Sequence, residues 1–520
     1  MNNNSPRRAR SSPLPAAHRS GANLIGCQAR LPNTRLLPIV LLALLVCLPS
    51  TPTRSAEVST SARSPNIVLF IADDLGYGEL GCQGNAQIPT PFIDQLAASG
   101  VRCTQFYVTA PNCSPSRAGL LTGRFPTRFG YEFNPIGAIN EEPGVGLPGE
   151  ETTMAEYLQG AGYTTALIGK WHLGGTAPFH PQRQGFDLFY GFLHEGHYYC
   201  PPPYAGVTTM LRRRVLPDGK RGRYFITRDL LYSDHMGHDE PDYDADNPVL
   251  RSSQPVDEKD YLTDAIARES VAFIERYRSV PFFLCVSFNA VHSPLQGKQE
   301  TMARLEHIED LHRRIFAAML VDLDAAVGRI VQCIEDQGLR RDTLFIFLSD
   351  NGGPTAELTS SNQPLRGGKG SMYEGGIRVP CIFNWHEQLP AGTVCTDVVG
   401  AVDILPTLAR RVGGPPPRSS DGIDIWPALL GQGLSSQRPP LYWRQGMRAA
   451  LRVGDWKIVL HRRRQRNAGP AEVPAEHWEL FHLANDAAEQ TDLADEHPQQ
   501  LQQLLGVWRA LDAEMQEPIF

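Results

Sequence analysis

Asn66-Ile67-Val68-Leu69-Phe70-Ile71 runs without a break into Ala72-Asp73-Asp74-Leu75-Gly76. A half-exposed strand would alternate apolar and polar residues; this run does not, which predicts a strand buried on both faces. Such strands belong to largely parallel sheets covered by helices. In open sheets of that kind ligands bind beyond the carboxyl ends of the strands, where Asp73 and Asp74 would stand. Three further runs repeat the pattern. Tyr163–Gly169 leads into Lys170-Trp171-His172-Leu173-Gly174, and Phe282–Phe288 leads into Asn289-Ala290-Val291-His292-Ser293-Pro294. Thr343–Leu348 leads into Ser349-Asp350-Asn351-Gly352-Gly353. Every one of these strands ends in residues capable of chemistry.

Helical stretches are expected between the strands. They are Pro91–Ser99 with Thr90 as N-cap and Gly100 as stop, Thr153–Gly160, Tyr261–Tyr277, and an amphipathic segment from about Leu305 to Gln337. The alternation predicts an α/β fold: a large central, mostly parallel sheet sandwiched by helices. Gly413-Gly414-Pro415-Pro416-Pro417 reads as a boundary. Beyond it Tyr442-Trp443, Ala449–Arg452 and Trp456–Leu460 predict a small antiparallel sheet, closed by a terminal helix over Gln499–Met515. The organisation expected is a leader over 1–56, a main domain over 64–412 and a C-terminal subdomain over 413–520. Tyr198–Asp246, rich in Tyr, Pro, Asp and Arg with weak periodicity, is expected to be an inserted loop region near the site.

The chain has 520 residues, 42% hydrophobic and 20% charged, which is ordinary globular composition and excludes disorder and a multi-span membrane protein. Its charge is uneven. Residues 1–56 hold seven Arg and no Lys or acid, so the remainder sets 42 basic residues against 56 acidic ones. An acidic body without a long basic run argues against nucleic acid as a partner. Leu36 to Leu48 is apolar except for Pro38, follows Arg30 and Arg35, and exits through small and polar residues to Ala56. It is too short to span a bilayer and reads as a secretory signal peptide, which implies an exported protein without a stable membrane span. Eight cysteines lie beyond the leader and none forms a CxxC pair, so a thiolate zinc site is not expected. Cys285, Cys333 and Cys381 sit in apolar contexts and read as buried thiols; a disulfide or two among the rest is open.

Asp73-Asp74 at one strand end and Asp350-Asn351 at another supply hard oxygen ligands, suited to Ca²⁺ or Mg²⁺ rather than zinc. Either pair alone is an ordinary turn. Together they point to a metal. The decisive segment is Pro111-Asn112-Cys113-Ser114-Pro115-Ser116-Arg117-Ala118-Gly119-Leu120-Leu121-Thr122-Gly123-Arg124. Pro115 favours a first helical turn and places Cys113 at a helix N-terminus, where the dipole favours anions and acidifies a thiol. Read from the residues alone, this is a reactive nucleophile in an anion site.

The segment resembles the sulfatase family, whose Cys-x-Pro-Ser-Arg hallmark and Leu-Thr-Gly-Arg tail are present in full. The resemblance continues through Asp73-Asp74, Gly169-Lys170-Trp171-His172, Asp350-Asn351, Lys369 and Tyr373-Glu374-Gly375-Gly376, and into Glu479-Leu480-Phe481. It implies that a maturation enzyme oxidises Cys113 to formylglycine (3-oxoalanine), whose hydrate is the nucleophile. It implies one Ca²⁺ bound by Asp73, Asp74, Cys113 in its modified form, Asp350 and Asn351. Arg117 would hold the formylglycine, Lys170 and Lys369 the sulfate oxygens, His172 the hydrate, and His292 would face the leaving oxygen. The chemistry is coherent: cations neutralise the sulfate oxygens, histidines carry protons, and a hydrate offers separate hydroxyls for attack and for release. Singly, Lys170, His172 and Lys369 are ordinary loop residues and His292-Ser293-Pro294 an ordinary turn; their joint occurrence after separate strands carries the site.

The expected activity is hydrolysis of sulfate monoesters, on a sulfated carbohydrate or an aryl sulfate. The alternatives are a phosphoric or phosphonic ester hydrolase of the same superfamily and a non-catalytic anion-binding relative. His194, His197, Tyr198, Tyr199 and Tyr204 are either an aromatic wall suited to sugars or a packed loop. The leader reading has a direct check: N-terminal sequencing of exported protein should start near Ala56, and an intact leader in soluble material would overturn it.

Overall fold

The computed structural model describes residues 64–241, 243, 247–434, 438–462 and 476–520; the leader lies outside the described residues. The Asn66–Ala72 strand shows why its sequence does not alternate. Ile67, Leu69 and Ile71 enter one apolar cluster while Val68, Phe70 and Ala72 enter another, so each face of the sheet has its own core. A ten-stranded sheet results, in the order Gln254–Pro255, Leu250–Arg251, Leu188–Phe192, Thr164–Lys170, Phe282–Ser287, Asn66–Ala72, Thr343–Ser349, Cys381–Trp385, Val101–Cys103, Thr393–Cys395. From Leu188–Phe192 to Thr343–Ser349 neighbouring strands run parallel. Antiparallel pairs flank that block on both sides. All four strands expected from the sequence are adjacent members of the parallel block.

Register sets the site. Ile71 pairs with Ser287 on one side and Leu348 on the other, and Gly169 pairs with Ser287, so four strand ends emerge at one level. Gly169 has φ +118°, and a Cβ there would lie 1.9 Å from the Ser287 carbonyl oxygen. Only glycine fits, and it delivers Lys170 to the sheet end.

Helices cover both faces. Pro91–Ala98, Met154–Gly160 and Leu262–Tyr277 lie where the sequence places them. Thr153 caps its helix reciprocally with Glu156. Thr90 stands at a cap position but its hydroxyl accepts from Gly81 N at 2.9 Å. The free N–H groups of Phe92 and Ile93 are instead taken by Asp324 of the long helix, at 3.2 and 2.8 Å. That long helix is Leu311–Asp336, shorter than the expected 305–337. Its Asp310 cap accepts from Arg313 N at 2.8 Å and fixes the start, while Leu305 and Ile308 are buried without being helical. Among the described residues no helix is long and apolar enough to cross a membrane.

The region from Tyr198, expected as loop, carries a second sheet. Val207–Arg212, Leu230–Ser233 and Arg223–Phe225 join Leu295–Lys298 in the order 295–298, 207–212, 230–233, 223–225. Strands this short, set in polar sequence, leave too little periodicity to detect. At the C-terminus, Leu441–Gln445, Arg448–Val453, Trp456–Arg462 and Glu476–His482 form an antiparallel sheet followed by the helix Pro498–Asp512. The fourth strand, unforeseen, contains Glu479-Leu480-Phe481.

This small sheet is tied by buried charge to the short helix Glu374–Ile377, just before the Cys381–Trp385 strand. Lys457 Nζ lies 2.9 Å from Glu374 and 2.8 Å from Glu489, all three side chains having no exposure. Burial would raise Glu374, but Lys457, Arg378 and Arg452 hold it at about 2. Burial pushes Glu489 up to about 7 against the pull of Lys457. Lys457→Met would leave Glu489 without its cation and Glu374 with Arg378 as its remaining cation in direct contact, and removing one partner of a buried ion pair costs about 3–5 kcal/mol. Urea unfolding of that variant should show the loss; a change below ~1 kcal/mol would mean that the ammonium contributes little to docking.

Candidate active site

Most functional side chains are delivered by a strand end or a helix start, while Lys369 and His292 come from loops. Asp73 and Asp74 follow the Asn66–Ala72 strand, Lys170 closes Thr164–Lys170, and Asp350 with Asn351 follows Thr343–Ser349. Cys113 begins the helix Cys113–Thr122, as expected, with Arg117 one turn on. Ligand atoms of Asp73, Asp74, Cys113 and Asp350 all lie within 4.8 Å of one another, and all four residues are buried. The thiol sits 3.4 Å from Asp73 Oδ1 and 4.0 Å from Asp74 Oδ1.

Cations are threaded among these acids. Lys170 Nζ is 2.6 Å from Asp73 Oδ2 and Lys369 Nζ is 2.8 Å from Asp74 Oδ2. Arg117 reaches Asp350 at 2.8 Å through Nε, and its Nη1 donates to Ser287 Oγ at 2.6 Å. Burial would raise Asp73, but Lys170, Arg117 and Lys369 hold its carboxyl below the usual range. Burial pushes Asp74 up to about 7, with Asp73 and Asp350 adding to the rise. Asp350 is raised by burial and Asp73. The acids are therefore paired in the protein itself, and the bare repulsion that the sequence suggests is partly relieved by lysine and arginine.

The histidines occupy distinct positions. His172 is fully buried, Nε2 faces the Pro135 carbonyl at 2.9 Å, and Nδ1 has no partner among the described residues. His292 Nδ1 faces the Ser293 carbonyl at 2.7 Å and Nε2 lies 3.7 Å from Asp74 Oδ2. Burial and the lysines hold both rings well below the ordinary histidine range. Asp74 and His172 hold left-handed backbone at φ 64° and 58°, a strain of about 1–3 kcal/mol each that the surrounding bonds must offset.

One expectation is overturned. A helix N-terminus should acidify Cys113, yet its thiol is pushed well above the ordinary cysteine range. Burial dominates and Asp73 adds to it, outweighing Lys170 and Lys369. As a thiol, residue 113 is a poor nucleophile here.

The residues present fit a hard divalent cation. Their donors are carboxylates, and Asn351 Oδ1 is a buried acceptor without a donor while its Nδ2 gives to Asp74 Oδ1 at 2.7 Å. A cavity of about 810 Å³ opens from Cys113, His292 and Lys369 toward solvent, and Arg212, Tyr243, Glu357 and Arg448 line it. Ser287, Arg212 and Glu357 escaped the sequence reading. Ser287, the last residue of its strand, was in plain view; the other two have no local signal. Of the residues weighed as a sugar wall, Tyr199 is buried and donates to the carbonyls of Asn289 and His292 at 2.6 and 2.8 Å. His194 lines an adjoining cavity of about 490 Å³ that shares Glu195, Pro241 and Tyr243 with the first.

The chain has known relatives along most of its length. Human arylsulfatase A is 38% identical over 393 residues, covering 74% of this chain and 71% of that protein. Mouse steryl-sulfatase is 34% identical over 440 residues, covering 74% of this chain and 68% of its own. The crystal structure of Ps i-CgsB in complex with k-i-k-neocarrahexaose superposes with a TM-score of 0.74 at 33% identity, covering 88% of this chain and 94% of that one. Residues 65–414 match the sulfatase family profile, and the chain is a member of the sulfatase family of hydrolases.

Proposed function

We propose that this protein hydrolyses sulfate monoesters of carbohydrates after export to the periplasm or the extracellular space, through residues 64–412, with 413–520 as a docked subdomain. The buried Asp73–Asp74–Cys113–Asp350 cluster, with Lys170 and Lys369 on its edge, is the observation that carries the reading. A solved relative holding a neocarrahexaose supports a glycan as substrate. Asp73, Asp74, Asp350 and Asn351, with residue 113, would hold one Ca²⁺. That ion and a formylglycine at 113, made by a maturation enzyme, would supply charge neutralisation and a geminal pair of hydroxyls.

The rest falls to the chain's own side chains. Lys170 and Lys369 trade part of their pairing with Asp73 and Asp74 for the sulfate oxygens as the anion enters. Arg117, fixed by Asp350 and Ser287, holds the helix start that presents residue 113. His172 Nδ1 is free to take a hydrogen bond from that residue. His292 lines the cavity on the alcohol side, where it can move a proton at the leaving oxygen.

Cys113→Ala should lose sulfate release from 4-nitrophenyl sulfate by at least ~10³-fold while keeping the fold. Mass spectrometry of the tryptic peptide containing residue 113 should find the aldehyde in active preparations; full activity with the thiol alone would sink the mechanism. Parallel assays on 4-nitrophenyl phosphate address the phosphoric ester alternative, and faster phosphate turnover would replace the present reading.

Metal content gives a readout independent of turnover. Asp73→Asn should lower bound calcium by elemental analysis, because a neutral amide replaces one of the carboxylates. Unchanged calcium would remove Asp73 from the ligand set.

A further inference from the structure

Glu357 lies on the short helix Thr355–Leu358, just beyond Asp350-Asn351, and lines the cavity that holds Cys113, His292 and Lys369. Its carboxylate is fixed from one side only. Oε1 accepts from Ser293 Oγ at 2.8 Å and from Arg212 Nη1. Arg212 is itself held by Glu240 at 2.6 Å and by the Tyr243 hydroxyl at 3.0 Å. Oε2 meets no donor among the described residues, and the side chain keeps 15% of its surface exposed. Burial would raise this acid, but Arg212 and Lys369 hold it at about 2, and the Arg212 guanidinium keeps it a carboxylate.

We propose that Glu357 is the group that selects the alcohol: a fixed anionic acceptor for a ring hydroxyl beside the scissile ester, favouring polyhydroxylated alcohols over aryl or steryl ones. This rests on the sulfatase reading above. An alcohol with a hydroxyl next to the ester satisfies Oε2 with a charge-assisted bond. An aryl or steryl alcohol without a neighbouring donor displaces water from Oε2 and returns nothing, and a site built around such a bond rejects the analogue lacking it. A second sulfate at that neighbouring position would face like charge. Phe133 and Met447 line the same cavity and offer apolar surface for the C–H face of a sugar ring. Together they describe a subsite polar on one wall and apolar on the other. If Glu357 merely anchored Arg212, its loss would slow every substrate alike.

The test pairs a deletion on the substrate with one on the protein. Hexose O-sulfates and their singly deoxygenated analogues are compared by kcat/KM for the wild type and for Glu357→Gln, with 4-nitrophenyl sulfate as a reference lacking any such hydroxyl. In the wild type, removal of one neighbouring hydroxyl should lower kcat/KM at least about tenfold. In Glu357→Gln the same removal should cost less than about threefold, because a neutral amide forms the weaker bond. Glu357→Asp keeps the charge for Arg212 but withdraws the acceptor by one methylene, and should also lose most of the discrimination. A wild type that desulfates 4-nitrophenyl sulfate yet ignores every neighbouring hydroxyl would overturn this proposal and leave the sulfatase reading standing. Full discrimination retained in Glu357→Gln would overturn it equally.

Discussion

Three carboxylates buried at the ends of two adjacent strands are the constraint around which this molecule is arranged. Asp73, Asp74 and Asp350 have at most 1% exposure. Removing one such charge from water costs several kcal/mol even after relaxation. The compensation must therefore be local and well placed. Lys170 comes from the neighbouring strand system, Arg117 from a helix start, and Lys369 from a loop anchored by Glu374 five positions later. Moving any one of these elements leaves a buried acid unpaired. The charges thus fix the mutual position of strands, helix and loop more tightly than apolar packing alone would.

Backbone geometry makes the same concentration possible. Gly169 admits the Ser287 carbonyl where a Cβ cannot go, so Lys170 and Ser287 leave their strands side by side. Ser287 Oγ then donates to Lys170 O at 2.6 Å and accepts from Arg117, linking the two strand ends to the helix. The left-handed backbone at Asp74 and His172 belongs to the same compression. Strain of this kind persists only where surrounding bonds over-determine the conformation, and here they do.

What the sequence made legible follows from how each feature is built. Strands covered on both faces show as uninterrupted apolar runs, and residues at their ends inherit a known location; Asp73, Lys170, His292 and Asp350 could be placed for that reason. Features made by distant partners left no local trace. The pairing of Arg212 with Glu357 spans 145 positions, and Asp324 reaches the helix start at Phe92 across 232. Cys113 is the instructive failure. Its helix-terminal position is visible in the sequence and true in the structure, but the inferred acidity is reversed by burial and by Asp73, neither of which a local reading contains. The break between Ala303 and Leu311 was missed for the opposite reason, since Leu305 and Ile308 continue an apolar rhythm that the backbone does not follow.

The cavity divides by origin. Its floor, Cys113, His292 and Lys369, stands at the carboxyl ends of the parallel strands or beside them, where register and charge pairing allow little change. Its walls come from elsewhere: Arg212 from the second sheet, Tyr243 from the chain that follows it, and Arg448 from the C-terminal sheet. These attachments are not needed to neutralise the three buried acids. They carry ion pairs of their own, Arg212 with Glu240 and Glu357, and these lie apart from the three acids. A fold arranged in this way holds the anionic end of a substrate constant while the elements around the mouth decide which alcohol it carries. A fold fixes the place of a site, and the loops and added strands around its mouth set the shape of what can enter.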